Sequence, residues 1–331
     1  MVKLKSNNYL KAVKNLFYAY KLYAQNRRIF GHNCTICSTA PIGTGDYYFI
    51  GMYIRNWLLK NSINNWIMLC ENKNVKNVTR LFKIFDDHTY IPQSTNTIHN
   101  MYKILAFCKI SNYYYFHYAH SALGHAGIFM MYPKASHLFG YRGLEMLDLY
   151  LYGALLLSRN TTSESPVFEY DGEMMNDILE YIDYDLENVI LISPYSASYR
   201  EHMPPLSFWI NIVNVLKCRG FKVFTNCAGR EKAIIGTKKL MLPYEISIPL
   251  LNKIAGFIGI RSGLCDIICT AKCKKIILHP YGSRNWSFGK SIAFTGLNNM
   301  KLCNDAIEME FESCWTNIDL ISKQLLENFV K

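Results

Sequence analysis

Short apolar runs alternate with helical stretches along this chain, and the alternation runs through twice. Thr35 to Ala40 reads as a strand, Tyr47 to Lys60 as a helix and Trp66 to Cys70 as a strand. A helix near Ile98 to Phe107 and a strand near Tyr113 to His117 follow. Strands joined by helical crossovers imply a parallel sheet covered by helices. The most polar mid-chain stretch, Arg159 to Pro166, is rich in Ser, Thr and Pro and marks a domain boundary. The same pattern then restarts: strand Val189 to Ser193, helix Pro205 to Arg219, strand Lys222 to Asn226, helix Ser247 to Ile254, strand Gly256 to Ile260, a helix from Ser262, strand Lys275 to His279 and a last helix, Trp315 to Phe329. The 331 residues exceed what one core usually organises. The expectation is an α/β chain of two Rossmann-like domains, 1–160 and 161–331, facing a central cleft. The last helix belongs with the second domain or packs back on the first. Ligands of such sheets bind beyond the carboxyl ends of the strands, so the loops after strands are the places to look for function.

Half of the residues are hydrophobic and 18% are charged, enough apolar material for two cores and too little charge for disorder. Lys and Arg number 36 against 25 Asp and Glu, a formal charge of +11 that suits an anionic partner: nucleotide, nucleic acid or lipid surface. The Asn, Lys, Ile and Tyr richness also fits plain compositional bias. The 11 cysteines sit in a long chain without a signal-peptide pattern, which points to reduced thiols and a cytoplasmic location. Leu149 to Leu157, the most apolar run, is flanked by Asp148 and Arg159 and falls short of the ~20 residues that span a bilayer.

The first thirty residues form an amphipathic helix, with Leu10, Val13, Phe17, Tyr20 and Ala24 at helical spacing and Lys11, Lys14, Lys21, Arg27 and Arg28 elsewhere. The expectation is a terminal helix packed on its own domain. A basic, aromatic helix also suits peripheral contact with an anionic membrane.

Two loops carry the chemistry. Pro41-Ile42-Gly43-Thr44-Gly45-Asp46 lies between a strand and a helix, where glycines let backbone approach a ligand. Asp46 reads as an N-cap, or as a base able to take a proton from an acceptor hydroxyl. The Gly43, Gly45 pair is too short for a dinucleotide fingerprint, and no Walker lysine follows. The second loop, Gly259-Ile260-Arg261-Ser262-Gly263, ends a strand and opens a helix. Its Ser262 and Gly263 amides suit phosphate, and Arg261 has the fork geometry for phosphate oxygens. The plain alternative is a surface arginine beside an ordinary Ser cap.

The segment order resembles the GT-B glycosyltransferases, in particular the group similar to ADP-heptose:lipopolysaccharide heptosyltransferases. The Gly43-Thr44-Gly45-Asp46 turn resembles that group's Gly-Ile-Gly-Asp turn, which implies that Asp46 is the catalytic base. Ile192-Ser193-Pro194-Tyr195-Ser196-Ala197-Ser198, followed by a helix and Gly220-Phe221-Lys222-Val223, is similar to the Pro-Gly-Ala-Ser segment opening its donor domain. Ile254 to His279 resembles its Asp-Ser-Gly segment, except that Arg261 stands where the group has Asp and Asp266 where it has His. An arginine before Ser-Gly is also similar to the pyrophosphate-binding arginine of GT-B fucosyltransferases, which leaves the sugar open. The resemblance implies a donor site of Arg261, Ser262, Gly263, Ser196, Arg200 and Glu245, with the last binding ribose. Gly43, Thr44 and Gly45 would form the acceptor loop.

The resemblance thus implies a metal-independent, inverting glycosyltransferase acting in the cytoplasm, at or near the inner face of the membrane. Its partners would be a nucleotide-sugar donor and a glycan or lipid-linked glycan acceptor, with no cofactor and no nucleic acid. The alternative is a non-catalytic basic protein of the same fold that binds nucleic acid or a membrane complex. Asp183-Tyr184-Asp185 precedes a strand and reads as solvated surface rather than a metal site. Cys265, Cys269 and Cys273 fit no zinc or iron-sulfur spacing and read as buried thiols, as do Cys34 and Cys37 in their single Cys-x-x-Cys.

Overall fold

The computed structural model of the chain describes residues 6–39, 43–70, 77–85, 90–92, 112–116, 145–168, 172–196, 203–281, 291–312 and 318–330. They group into two compact units. The first holds the described residues up to Pro166 apart from Glu145 and Met146, and the second holds those from Val167 onward. Ala40, His117 and the expected helix 98–107 lie outside the described residues.

The first unit contains α1 (Ser6–Phe30), β1 (Thr35–Thr39), α2 (Thr44–Lys60), β2 (Trp66–Cys70), β3 (Tyr90–Pro92) and β4 (Tyr113–Phe116). Its strands run parallel in the order β3-β2-β1-β4. Trp66 to Cys70 is buried throughout, as expected of a parallel strand covered on both faces. Gly51 of α2 has no room for a side chain, since a Cβ there would stand 2.2 Å from the Phe82 ring. The helix thereby comes close enough for Phe82 and Tyr48 to meet edge to face at 5.5 Å.

Leu149–Ala154 winds as a π-helix. The chain after it is fastened to α2 by an Arg55–Glu164 ion pair of 2.8 Å and by the Asn56 side-chain amide donating to the Thr162 carbonyl. Among the described residues no helix is long and apolar enough to cross a membrane.

The second unit contains α3 (Gly172–Ile182), β5 (Val189–Ser193), α4 (Leu206–Cys218), β6 (Lys222–Asn226), β7 (Lys238–Leu240), α5 (Ser247–Leu251), β8 (Gly256–Ile260), α6 (Gly263–Ile267), β9 (Lys274–Tyr281), α7 (Ser291–Thr295), β10 (Ile307–Glu312) and α8 (Ile318–Val330). Six parallel strands run β10-β9-β8-β5-β6-β7. Phe208, Trp209, Ile212, Val213 and Leu216 of α4 form one apolar stripe against the sheet. Leu325, Leu326 and Phe329 of α8 join the same core. Each such side chain, once fully buried, contributes roughly 1.5–3 kcal/mol. The last helix therefore packs within the second unit.

Gly256 is the close point of that packing: a Cβ would meet the Phe329 ring at 2.6 Å and the Lys274 carbonyl at 2.8 Å. Gly256→Ala is expected to cost about 1–3 kcal/mol through overpacking. A melting curve indistinguishable from wild type would show that strand and helix are not this close.

Two expectations are corrected here. The α1 stripe does not pack on its own domain: Val13, Phe17 and Tyr20 are exposed, at 56%, 73% and 57%. And the helix expected from Ser262 begins at Gly263 and runs only five residues, to Ile267.

Candidate functional site

In each sheet the chain builds outward on one side of the first strand and then crosses over to its other side. β1 lies between β2 and β4, and β5 lies between β6 and β8. Ligands of open α/β sheets bind outside the carboxyl ends at such switch points. Gly43 to Asp46 follows β1, Ser196 follows β5, and Arg261 to Gly263 follows β8. The loops singled out from sequence therefore stand at the switch point of their own sheet.

In the first unit Gly43, not Asp46, is the N-cap of α2, in extended conformation at φ −63° and ψ 168°. That moves the helix start to Thr44 and puts Asp46 at its third position. The Asp46 amide donates to the Gly43 carbonyl at 3.1 Å. Its carboxylate is 5% exposed, and its Oδ1 accepts a hydrogen bond from the buried Tyr150 hydroxyl. Tyr150 stands in the π-helix and packs its ring on Phe49, centroids 5.4 Å apart. Helical segments of this kind often mark functional positions. A buried carboxylate that accepts from a buried phenol in the first turn of a helix is oriented by that bond and complemented by the helix dipole. Sequence reasoning did not find Tyr150, because 104 residues separate it from Asp46. Pro41 and Ile42 lie outside the described residues.

In the second unit the Ser196 hydroxyl donates to the Arg261 carbonyl at 3.1 Å, which joins the loops after β5 and β8. Arg261 itself faces inward. It is 4% exposed, with Nε donating to the Thr295 carbonyl at 2.8 Å and Nη1 to the Ser262 carbonyl at 2.5 Å. Nη1 and Nη2 also engage both oxygens of Asp266, at 3.1 and 2.5 Å. The fork expected to meet phosphate is thus engaged by the protein's own oxygens. Burial holds the Asp266 carboxyl above the usual carboxylate range, against the opposing pull of the Arg261 guanidinium. The Ser262 side chain makes no capping bond, although its residue is the N-cap of α6. Glu245 is half-buried in the turn before α5, and Arg200 lies outside the described residues.

A second buried pair adjoins this one. His279 Nε2 stands 2.9 Å from Glu308 Oε1 on the neighbouring strand. Glu308 also accepts from the Leu297 and Asn298 amides at 2.8 and 3.1 Å. Those bonds outweigh the upward push of burial and hold Glu308 below the usual range. His279 Nδ1 has no partner among the described residues. A proton there would find no acceptor, so burial chiefly, with the nearby Arg261 charge, keeps the imidazole neutral and its pKa below 6.5. The neutral ring donates from Nε2 to the carboxylate.

Unfolding releases His279 to bind a proton below about pH 6.5, so its contribution to stability declines as pH falls through that value. His279→Gln is expected to flatten the decline in melting temperature between pH 7 and 5.5. An unchanged slope would show that the folded state accepts the proton.

Asp183-Tyr184-Asp185 has a structural task, since Asp185 caps a 3-10 turn by accepting from the Glu187 amide and the Asn188 side chain. Burial pushes the thiols of Cys34, Cys37, Cys265 and Cys273 upward, the last to about 11. Among the described residues there is no group of three or more His, Cys, Asp and Glu placed to hold a metal ion.

An Escherichia coli ADP-heptose lipopolysaccharide heptosyltransferase II superposes with TM-score 0.55 at 12% identity, over 89% of this chain and 98% of that one. A glycosyl transferase family 9 protein of Veillonella parvula gives 0.54 at 11% identity over 89% and 97%. An E. coli heptosyltransferase with ADP gives 0.52 at 8% over 88% and 99%. The chain shares their GT-B fold. No protein-family model and no curated protein matches the sequence. The GT-B likeness covers both units.

Proposed function

We propose that the chain is an inverting, metal-independent glycosyltransferase that moves a sugar from a nucleoside diphosphate donor to a hydroxyl of a glycan or lipid-linked glycan. The observation that carries this reading is the buried Asp46 carboxylate, held by Tyr150 after the first strand of a GT-B fold. Asp46 takes the proton of the acceptor hydroxyl as its oxygen attacks the anomeric carbon. The bond from that carbon to the diphosphate breaks, and the diphosphate leaves with the electron pair. One displacement inverts the configuration. Gly43, Thr44 and Gly45 would then border the acceptor.

The donor role falls to the second unit, at the switch point where Ser196 is tied to the Arg261 backbone. Donation to diphosphate is assigned to the Ser262 and Gly263 amides, with Arg200 as cation and Glu245 toward ribose. Arg261 shapes the turn from inside rather than reaching the ligand with its guanidinium. Free thiols at the nine described cysteines, seven of them buried, support a reducing, cytoplasmic setting.

A thermal-shift screen over ADP, GDP, UDP, CMP and dTDP tests the reading. One nucleotide is expected to stabilise the chain, by about 2.7 kcal/mol at a hundred times its dissociation constant. The nucleotide sugar with that base should then glycosylate an acceptor. Stabilisation by none of the five, with a salt-sensitive nucleic-acid complex instead, would favour a non-catalytic basic protein.

A further inference from the structure

We propose that the outer face of α1 docks on an anionic lipid bilayer. Val13, Phe17, Tyr20 and Ala24 follow one another at spacings of four, three and four residues, a single line about 16 Å long on a helix. All four are exposed. Lys14, Lys21 and Arg28, spaced by seven, form an exposed line beside it. The opposite side anchors the helix to its unit, through buried Tyr23 and Asn26 and through Asn65 donating to the Phe30 carbonyl at 3.1 Å. Arg27 adds bonds to the Tyr23 hydroxyl and the His32 carbonyl. The helix is thus held at its carboxyl end and presents an apolar, aromatic line with a cationic border. It also stands ahead of β1, outside the strand-helix-strand succession that builds the sheet.

Charge selects the occupant. Lys3, Lys5, Lys11, Lys14, Lys21, Arg27 and Arg28 precede Asp46, and no Asp or Glu does. A second copy of a chain carrying +11 would bring like charges together on this face. Nucleic acid would be met by cations across the contact. Here an exposed apolar, aromatic line runs alongside the cationic one, the pairing of a helix lying in a bilayer interface with aromatic rings at headgroup depth. The inference is independent of the reaction proposed above.

The test is co-sedimentation of the full chain with vesicles of phosphatidylcholine alone and of phosphatidylcholine mixed with phosphatidylglycerol. Binding is expected only with the anionic lipid and should weaken as salt is raised. Each basic residue near an anionic surface contributes roughly fivefold to partitioning. Lys14→Glu with Lys21→Glu should therefore weaken binding at least 25-fold or so, and Phe17→Ser with Tyr20→Ser should weaken it comparably. The four side chains are exposed, so an unchanged melting temperature will show that both variants fold. Three results would overturn the proposal: equal sedimentation with neutral lipid, wild-type binding by either variant, or an oligonucleotide complex or dimer that needs Phe17 while vesicles are ignored.

Discussion

Asp46→Asn is expected to lower turnover by about 10²–10⁴-fold while leaving nucleotide-induced stabilisation at its wild-type value. The amide keeps the shape of the carboxylate and can still accept from the Tyr150 hydroxyl, so the fold should hold. What it loses is the ability to take a proton. If turnover persists, another group is the base and the role assigned to Asp46 is wrong. If nucleotide stabilisation disappears as well, the residue acts in binding and not in proton transfer. Tyr150 gives an internal control. Tyr150→Phe removes one charge-assisted hydrogen bond without altering the ring packed on Phe49. A roughly tenfold fall in kcat with KM unchanged is expected from an effect of that size. In the Asp46→Asn background the same change should cost nothing further, because the proton acceptor it positions is already gone. Losses that multiply would place the role of Tyr150 elsewhere.

The sheets were legible because parallel strands buried on both faces are written as plain apolar runs: Trp66 to Cys70, Val189 to Ser193 and Gly256 to Ile260 all match their observed bounds. β10 was missed for the opposite reason. Glu308, Glu310 and Glu312 alternate with Ile307, Met309 and Phe311, so the segment looks solvated. Its Glu308 instead accepts bonds from His279, Leu297 and Asn298, and Glu310 from Ile292. Site loops could be found because strand ends followed by glycine have a local signature. Side-chain partners could not, since the bonds from Tyr150 to Asp46 and from Ser196 to Arg261 join residues 104 and 65 positions apart. The helix at the amino terminus shows the limit of periodicity: spacing identifies an apolar face but not what covers it. Burial alone distinguishes a packed stripe from the exposed one observed.

Asp266→Asn is expected to cost about 3–5 kcal/mol, because it leaves the guanidinium of Arg261 buried without its counter-charge. In a unit of this size that is a drop of about 6–20 °C in melting temperature. Replacing both partners, as in Arg261→Met with Asp266→Leu, should recover most of the loss, since an apolar pair of similar volume needs no charge compensation. These are the two positions at which the sequence differs from the pattern it otherwise resembles, and in this chain they are in contact. A buried cation at 261 requires a counter-charge, which Asp266 supplies. The nucleotide then separates structure from binding. If Arg261 acts through the turn, the double variant should retain nucleotide-induced stabilisation to within a few-fold in affinity. If its guanidinium reaches the diphosphate in the bound state, stabilisation should vanish in the double variant although the melting temperature has recovered. A loss below about 1 kcal/mol in Asp266→Asn would be the value of an exposed pair, and would contradict the buried geometry itself.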